Sequence, residues 1–329
     1  MQILITGGAG YIGSTVASAC EDAGHQVVIL DDFSTGRREF IGDRTLYEGD
    51  IADPALLDRI FTEQNIDAVV HCAAKIVVPE SVSDPLGYYE NNVSKTVTLL
   101  EGLQRNGVHR FLFSSSASIY APDENFVVTE ASPLQPGSPY ARTKFMVEFI
   151  LEDFTKASDV KVLSLRYFNP IGTDPKLRSG QQLEHPSHVL AKLLEAWSKH
   201  ETFTVTGVDW PTRDGSGIRD FIHVWDLAQA HVAAIEGFDK ATADSSYEVF
   251  NIGTGNGVTV KELAASFEEI SGDPLKLEFG PSRPGDVAGV YTVSSKAKDV
   301  LGWEARLTEQ DAVRDAIAWL PVRKEKLGY

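Results

Sequence analysis

The chain has little cysteine, little positive charge and no long apolar run. Among its 329 residues only Cys20 and Cys72 are cysteines, too few for a disulfide framework or a C-x-x-C site. Lysine and arginine number 30 against 47 aspartates and glutamates, a formal net charge of −17 at pH 7. A chain this acidic is a poor candidate for binding nucleic acid or an anionic membrane.

Two further absences narrow the class of protein. No apolar run approaches the roughly 18–20 residues that cross a bilayer, and no charged-then-apolar leader is visible, so we expect a cytoplasmic protein without a membrane partner. The eight histidines show no zinc-type spacing, so no metal site is expected.

Short apolar segments alternate with helix-length segments through the first half of the chain. The strand-like segments are QILIT, QVVILD, TLYEGD, DAVVHCAA, RFLFSSS and KVLSLRYFN, and helices are predicted at about 13–24, 54–64, 88–107 and 140–157. This β-α-β-α order predicts an α/β fold with a doubly wound (Rossmann) parallel sheet.

The pattern changes after Asn169, where a long loop is followed by mixed strands and helices, so we expect a second, smaller α+β substrate domain. The predicted domains are residues 1–174 with a returning segment at about 218–254 for the nucleotide, and residues 175–217 and 255–329 for the substrate. The basic tail PVRKEKLGY is expected to be a solvated end.

The stretch ILITGGAGYIGS, residues 3–14, holds four glycines between a predicted strand and a predicted helix. Gly8, Gly10 and Gly13 fit G-x-G-x-x-G, whereas Gly7, Gly10 and Gly13 fit G-x-x-G-x-x-G. Glycine lets the backbone approach a pyrophosphate, and the N-terminus of the following helix offers free N–H groups to the phosphates. Both readings predict a dinucleotide site; a glycine-rich turn without a ligand is the alternative.

An acidic residue ends the second predicted strand, in VVILDD. A carboxylate at Asp31 would accept hydrogen bonds from ribose hydroxyls and repel a 2′-phosphate, which favours NAD. Arg37 and Arg38 lie a few residues on and leave NADP as the second choice. Asp50, in GDI after the third strand, is either an acceptor for the adenine amino group or an ordinary turn carboxylate.

Tyr140 and Lys144 form a Tyr-x-x-x-Lys pair in SPYARTKFMVE. Residues four apart share a helix face, so the ammonium would lower the pKa of the phenol, and a cationic nicotinamide ring would lower it further. A phenolate is a base for a hydroxyl proton at neutral pH. The pair alone is weak evidence for catalysis, because an exposed helix pair has the same spacing. It is strengthened by FLFSSSASIY upstream, where a predicted strand ends in a run of serines. Ser116 is our choice there to hydrogen-bond the reacting oxygen.

Taken together, the motifs resemble those of the extended short-chain dehydrogenase/reductase superfamily. They are the glycine loop, the acidic strand end, HCAA, YYENNV, FSSSASIY, YARTK, RYFNPIG and RDFIHVWDLAQAH, in that order. Within it the chain is most similar to the UDP-galactose (UDP-glucose) 4-epimerases, over about residues 1–310. The resemblance selects the reading with Gly7, Gly10 and Gly13. It implies an isomerase that uses NAD to oxidise a UDP-hexose at C4 transiently to a 4-keto sugar.

The resemblance also implies roles for individual residues and a homodimer through the helices at about 88–107 and 140–157. The expected catalytic set is Ser116, Tyr140 as acid/base, and Lys144, which also holds the nicotinamide ribose. The residues expected to line NAD are Gly7, Gly10, Tyr11, Ile12, Gly13, Asp31, Asp50, Ile51, Ala73, Lys144 and Phe168. Those expected to contact the UDP-sugar are Ser116, Tyr140, Asn169, Arg219, Arg283 and Asp286.

Three positions depart from the family pattern, and one of them is Thr206, which stands where an aromatic residue is frequent. His188 in LEHPSHVLAK stands where many members have an Asn-Leu pair, and Val290 lies near a position whose size is associated with admitting N-acetylated sugars. A UDP-N-acetylhexosamine or UDP-glucuronate 4-epimerase therefore stays open as an alternative. A 4,6-dehydratase is disfavoured, because Ser116-Ala117-Ser118 replaces its usual Thr-Asp-Glu run. A non-catalytic NAD-binding sensor is the least expected, since the tyrosine and lysine are both present.

Overall fold

Strands and helices alternate along most of the chain. The computed structural model describes residues 1–121, 124–282 and 287–329. Within these residues the strands are β1 Gln2–Thr6, β2 Gln26–Asp31, β3 Thr45–Glu48, β4 Ala68–His71, β5 Arg110–Ser116, β6 Val127–Val128, β7 Lys161–Tyr167, β8 Asn169–Ile171, β9 Thr202–Thr206, β10 Ile218–His223, β11 Tyr247–Ile252, β12 Gly257–Thr259, β13 Lys276–Gly280 and β14 Tyr291–Thr292. The α-helices are α1 Tyr11–Asp22, α2 Pro54–Glu63, α3 Val78–Ser83, α4 Pro85–Tyr89, α5 Lys95–Asn106, α6 Pro139–Ala157, α7 Val189–Ser198, α8 Val224–Glu236, α9 Phe238–Ala241, α10 Val260–Ser271 and α11 Glu309–Leu327.

Seven strands of the described chain form one sheet in the order β11-β7-β5-β4-β1-β2-β3, and every neighbouring pair is parallel. In β1, Ile3, Leu4 and Ile5 are all fully buried, as expected of a parallel strand covered by helices on both faces. The predicted doubly wound α/β fold is confirmed. The winding reverses between β1 and β4, and at such a reversal the carboxyl ends of the strands open a crevice that binds ligands.

An apolar layer on each face of the sheet holds the helices in place. Val16 of α1 and Leu227 of α8 are buried on one face. Leu57 of α2, Leu103 of α5 and Leu151 of α6 are buried on the other. Each fully buried leucine contributes about 1.5–3 kcal/mol, so these layers fix the helices against the strand ends that carry the site.

The remaining strands form three small sheets, β12-β10-β8, β13-β9 and β14-β6. Helices α7, α10 and α11 enclose an apolar core that buries Leu193, Phe267 and Val313. Helix α10 begins at a capping box on Thr259 and ends at Gly272. The predicted boundaries between two domains stay a prediction.

The helix predicted at about 88–107 is not a single regular helix. It consists of α4, a π-helical segment at Glu90–Ser94, and α5. Within the π-helical segment the Asn92 side chain bonds both the N–H and the C=O of Lys75, each at 2.9 Å. A π-turn inserts an extra residue, and here it coincides with the contact that holds the chain after β4.

The tail predicted to be solvated is the end of α11, and none of residues 321–329 is buried, although its basic side chains have backbone partners. Arg323 and Lys326 donate hydrogen bonds to backbone carbonyls of Leu183 and Arg178. The Arg323 guanidinium lies 4.9 Å from the centroid of the Tyr329 ring. The basic side chains therefore bind the loop that precedes α7, a partner far away in sequence.

Candidate active site

The glycine loop between β1 and α1 is packed too closely for side chains. A Cβ on Gly13 would lie 2.2 Å from the Gly7 carbonyl oxygen, and one on Gly7 would lie 2.7 Å from the Ala73 nitrogen. Gly7 also has a φ of +71°, which glycine adopts without the penalty of a Cβ. Gly10 precedes α1 and has no side chain to cap the helix. The loop therefore fits a dinucleotide pyrophosphate in the predicted register.

Asp31 ends β2 beside this loop. Its carboxylate accepts hydrogen bonds from the Ala9 and Phe33 amides, both at 2.8 Å. Burial raises the pKa of the Asp31 carboxyl, and the two amides oppose that rise. A carboxylate has about four acceptor sites, so these two bonds leave capacity for ribose hydroxyls.

The two arginines that left NADP open are engaged elsewhere. Arg38 pairs with Glu48 at 2.6 Å and lies 4.3 Å from the centroid of the Phe33 ring. The Arg37 Nε donates to the Tyr329 hydroxyl at 3.0 Å. Both guanidinium groups thus have partners other than a 2′-phosphate, which supports the choice of NAD.

Asp50 and Ile51 lie in the turn between β3 and α2. Asp50 accepts from the Ala52 amide at 2.9 Å and forms an ion pair with Lys95. Ile51 is buried in the core. Asp50 is therefore a turn carboxylate with an ion-pair partner, and the contacts of both residues with adenine stay a prediction.

Tyr11 joins the cofactor helix to the segment after β8. Its hydroxyl donates to the Gly172 carbonyl at 2.7 Å, and burial raises the pKa of Tyr11, so the phenol stays a donor. Ile12 packs against the core, and Phe168 is buried beside Tyr120. Contacts of Tyr11, Ile12 and Phe168 with the dinucleotide stay predictions.

Lys144 is buried on the inner face of α6. Its Nζ donates to the Ser114 carbonyl at 2.8 Å and lies 4.9 Å from the centroid of the Phe113 ring. Burial lowers the pKa of Lys144 to about 8, against the opposing effects of Cys72 and Glu148. The ammonium is therefore charged at neutral pH.

Tyr140 lies one turn before Lys144, and Ser116 ends the strand opposite. The Ser116 hydroxyl hydrogen-bonds the Ser118 hydroxyl at 3.0 Å and accepts from the Ser118 amide at 3.2 Å. Burial raises the pKa of Tyr140, while its hydrogen bond with Ser116 lowers it. The pKa of Tyr140 does not show the expected lowering by Lys144, whose Nζ is bound to the Ser114 carbonyl.

A series of contacts connects Lys144, one of the predicted catalytic residues, to the glycine loop. Gly7 packs on Ala73, the adjacent Cys72 has its Sγ 3.3 Å from the Ser114 hydroxyl, and the Ser114 carbonyl binds Lys144. The structure therefore brings the predicted catalytic residues to the strand ends next to the predicted dinucleotide site.

Two more of the predicted substrate residues, Asn169 and Arg219, lie on β8 and β10. Asn169 pairs in register with Phe221 of β10. The Arg219 guanidinium donates to the carbonyls of Ile218, Val287 and Ala288 at 2.7, 3.0 and 2.6 Å. Arg219 is thus held against the chain that follows the RPGD motif. Arg283 and Asp286 of that motif lie outside the described residues.

Two of the three positions that depart from the family pattern lie on different sides of the site. His188 precedes α7 and lines a small cavity with Tyr11 and Gly172, and burial lowers the pKa of His188. Val290 packs against a cluster that contains Phe168. A short aliphatic side chain therefore stands beside a residue predicted to line NAD.

The sequence interpretation missed two residues, Glu148 and Arg166. Glu148 accepts from the Ser115 hydroxyl at 2.5 Å and forms a buried ion pair with Arg166, also 2.5 Å between the nearest atoms. Glu148 lies one helical turn after Lys144, and that spacing was a signal available in the sequence. Nothing in the spacing of Arg166 indicates the pair.

Metal ligands and membrane spans were searched for in residues 1–121, 124–282 and 287–329. In these residues no group of three or more histidine, cysteine, aspartate or glutamate side chains is arranged to hold a metal ion. Among their helices, none combines the length and the apolar character that crossing a membrane requires. Both cysteines are free thiols.

A wound parallel sheet, a glycine loop at its switch point and a Ser-Tyr-Lys set beside that loop define a dinucleotide-dependent enzyme of the short-chain dehydrogenase type. The sequence model of the NAD dependent epimerase/dehydratase family matches residues 3–253. The chain belongs to this family. The predictions of an epimerase-type member and of NAD as cofactor are confirmed.

Known proteins match the chain over nearly its whole length. It is 40% identical over 330 residues to UDP-glucose 4-epimerase of Bacillus subtilis (strain 168), and the alignment covers 97% of this chain and 96% of that relative. The solved structure of UDP-glucose 4-epimerase from Bifidobacterium longum in complex with NAD⁺ and UDP is 35% identical, with a TM-score of 0.92 and 100% coverage of both chains. The UDP-Glc/GlcNAc 4-epimerase from Campylobacter jejuni is 35% identical, with a TM-score of 0.82 and coverage of 98% of this chain and 99% of that one.

Proposed function

We propose that this protein is an isomerase that interconverts UDP-galactose and UDP-glucose by NAD-dependent epimerisation at C4. The observation that carries the proposal is the meeting of Ser116, Tyr140 and Lys144 beside the glycine loop. The full-length UDP-glucose 4-epimerase relatives support it. When bound, NAD supplies reversible acceptance of the C4 hydride, so the sugar passes through a 4-keto form and no outside oxidant is consumed.

The residues of the chain have separate tasks in this reaction. Tyr140 takes the proton of the 4-hydroxyl and returns it on reduction of the keto group. Ser116 hydrogen-bonds the reacting oxygen. Lys144, charged below a pKa of about 8, stabilises negative charge on the Tyr140 oxygen and holds the nicotinamide ribose. In the protein alone, burial raises the pKa of Tyr140 and its hydrogen bond with Ser116 lowers it. A cationic nicotinamide ring beside the phenol would lower that pKa further.

Epimerisation requires the sugar to present both faces while its nucleotide stays bound. Arg219, whose guanidinium is fixed by three carbonyls, binds the diphosphate, since a guanidinium fork suits phosphate oxygens. Asn169 contacts the sugar nucleotide from β8. Arg283 and Asp286 are assigned by resemblance to the diphosphate and the uridine ribose. Strong contacts to UDP and weak contacts to the hexose permit the 4-keto sugar to rotate in the site while the nucleotide stays bound.

The test is turnover of UDP-galactose by purified protein without added NAD(H). We expect UDP-glucose as the product, and Tyr140→Phe should lower kcat about 10²–10⁴-fold, the usual worth of a general acid/base. Tyr47→Phe is the matched control, because its hydroxyl binds Glu63 far from the strand-end site. Absence of UDP-glucose, or full activity of Tyr140→Phe, would overturn the proposal.

A second substrate class is favoured by Val290. Val290 is a small residue near a position whose size is associated with admitting N-acetylated sugars, and it packs against the cluster that contains Phe168. The C. jejuni UDP-Glc/GlcNAc enzyme is a relative of similar coverage. UDP-N-acetylglucosamine should therefore be tested in the same assay, with UDP-glucuronate as the third arm. Turnover of UDP-N-acetylglucosamine comparable to that of UDP-glucose would establish the broader specificity.

We also propose the division into two domains. Residues 1–174 with about 218–254 bind NAD, and residues 175–217 and 255–329 bind the sugar nucleotide. The pairing of Tyr247–Ile252 at the end of the large sheet supports the returning segment. The separate apolar core of α7, α10 and α11 supports the second domain.

A homodimer and a cytoplasmic location complete the proposal. Helix α6 exposes Met146 to 42% and Phe149 to 55%, and α5 exposes Val97 to 36%. Apolar side chains of this size on two adjacent helices suit a face covered by a second copy. The free thiols Cys20 and Cys72 suit a reducing compartment.

A further inference from the structure

The helix that carries Tyr140 and Lys144 also carries a buried carboxylate, Glu148, that the reaction above does not use. Tyr140, Lys144 and Glu148 follow at intervals of four, so they share the face of α6 that meets β5. Lys144 binds the Ser114 carbonyl, and Glu148 binds the Ser115 hydroxyl. The helix is therefore hydrogen-bonded to two successive residues of β5, Ser114 and Ser115, which directly precede Ser116.

The Glu148 carboxylate is also fixed from the other side. Arg166 of β7 donates to it from Nε at 3.0 Å and from a terminal nitrogen at 2.5 Å. Arg166 stands directly opposite Ser115 in the β5–β7 ladder. A single carboxylate thus joins one helix to two neighbouring strands at the point where the catalytic residues begin.

The network continues away from the helix. A terminal nitrogen of Arg166 donates to the Tyr120 hydroxyl at 2.9 Å, and that hydroxyl donates to Asn251 of β11 at 2.6 Å. Asn251 in turn donates to the Thr292 hydroxyl at 3.2 Å. The ion pair is therefore anchored in the sheet.

A buried ion pair is a poor way to gain stability. The side chains of Glu148 and Arg166 are only 5% and 6% exposed, so both charges have lost most of their hydration. Replacing such a pair with apolar residues of similar volume is often neutral or stabilising. Directional hydrogen bonds, by contrast, fix the rotation of a helix about its axis and its position along that axis. Such placement matters for the rate, because a shift of about 1 Å in a catalytic group can lower the rate about 10²-fold.

We propose that Glu148 is a positioning residue of the reaction. Held by Arg166, it sets the register of α6 against the serines that end β5, and it thereby places Tyr140 and Lys144. The inference rests on the proposed epimerase function. Glu148 contacts neither the substrate nor the cofactor in this role, and acts through the two residues that precede it on its helix.

The charge of Glu148 also acts on Lys144. Burial lowers the pKa of Lys144, and Glu148 and Cys72 oppose that effect. The imidazole of His71 on β4 also faces the lysine, and the pKa of His71 is lowered by burial and by Lys144, while the Tyr140 phenol precedes the lysine by one helical turn. Around Glu148 itself stand Arg166 and the phenols of Tyr120 and Tyr247.

The test compares Glu148→Gln with Glu152→Gln, a matched control on the same helix whose carboxylate pairs with exposed Lys156. We expect Glu148→Gln to lower kcat about 10²-fold with little change in KM for UDP-galactose, and Glu152→Gln to match wild type. Glu148→Asp, which keeps the charge, should recover part of the loss. Equal kcat in Glu148→Gln and Glu152→Gln would overturn the proposal.

A second readout needs no turnover. In protein labelled with ¹³C-lysine, with Lys144→Met to assign its signal, the titration midpoint of Lys144 should be lower in Glu148→Gln than in wild type, because the opposing effect of Glu148 is lost. It should stay unchanged in Glu152→Gln. An unchanged midpoint in Glu148→Gln would contradict the inference that the charge of Glu148 raises the pKa of Lys144. Because this measurement uses free protein, it is independent of whether the wild type epimerises UDP-galactose.

A third variant separates positioning from stability. Glu148→Gln combined with Arg166→Met removes both buried charges, so no charge is left buried without its partner. We therefore expect the double variant to have a higher melting temperature than Glu148→Gln alone. Under the proposal kcat stays low, because the directional contact is still missing. Recovery of kcat together with stability would show that Glu148 is only structural and would overturn the proposal.

Discussion

At the scale of single residues, burial decides which side chains carry charge. His71 bridges β1 and α5, with its two ring nitrogens 2.7 Å from the Thr6 hydroxyl and 3.0 Å from the Thr96 hydroxyl. Burial, and secondarily Lys144, lowers the pKa of His71 to about 3. Burial likewise lowers the pKa of His231 to about 4, opposed by its bond with the Leu227 carbonyl. Both imidazoles are neutral in the folded protein.

These histidines predict a loss of stability on acidification. In the unfolded chain histidine titrates at about 6.5, so between that pH and about 4 the unfolded state binds protons that folded His231 does not. The free energy of unfolding therefore falls as the pH drops through this window, by at most about 1.4 kcal/mol per pH unit for each histidine. Urea unfolding of wild type and His231→Asn near pH 7 and near pH 5 measures it.

We expect the difference between the two pH values to be smaller in His231→Asn than in wild type. His185→Asn is the control, since His185 is exposed and its removal should leave the difference unchanged. Equal pH dependence in all three proteins would rule out buried His231 as a source of acid sensitivity.

At the scale of elements, the glycine loop makes the sharpest prediction. Gly13→Ala would put a Cβ 2.2 Å from the Gly7 carbonyl, so α1 must move away from the loop. We expect a loss of about 1–3 kcal/mol in the free energy of unfolding, typical of overpacking, together with weaker NAD binding. Thermal unfolding and titration with NAD measure the two effects.

Gly137→Ala is the matched control for that substitution. A Cβ at Gly137 meets no atom within 4 Å, and its backbone is outside the left-handed region. It should keep wild-type stability and NAD affinity. If Gly13→Ala behaved in the same way, the loop would be looser than this packing implies.

Much of the element pattern was predictable because it depends on local spacing. The apolar runs that predicted β1, β2 and β5 are buried strands in the large sheet. The π-helical segment around Asn92 was not predictable, because its contact with Lys75 depends on the path of the chain after β4. The tail was judged by composition, which cannot show that Arg323 meets the Leu183 carbonyl.

The same distinction applies to the candidate site. The family, NAD and 4-epimerase chemistry were predictable, because the order of several short motifs is specific. The pairing of Glu148 with Arg166 was not, because it joins a helix to a strand that follows it. Arg166 begins the RYFNPIG motif and Glu148 ends the SPYARTKFMVE stretch, but neither pattern shows which side chain the other meets. The phenol pKa of Tyr140 was expected to fall from charge alone; its burial, which raises the pKa, is a property of the folded chain.

At the scale of the whole molecule, the apolar face of α5 and α6 predicts the oligomeric state. Phe149→Glu places a charge among side chains that a second copy would cover, which is costly in an interface. We expect wild type to sediment as a dimer at micromolar concentration and Phe149→Glu as a monomer in analytical ultracentrifugation. Phe279→Glu, at a site 57% exposed on β13, is the control and should remain dimeric. A monomeric wild type would contradict the proposed dimer.

The position of β11 also affects how the protein is made. Strand β7 ends at Tyr167, yet its outer neighbour β11 begins only at Tyr247. At about 5–20 residues per second a ribosome needs on the order of 4–16 s for the roughly 80 residues between them. During that interval the backbone of β7 has an open edge, which invites pairing with other chains. The yield of folded protein in a cell should therefore depend on translation speed and on chaperones that hold nascent chains.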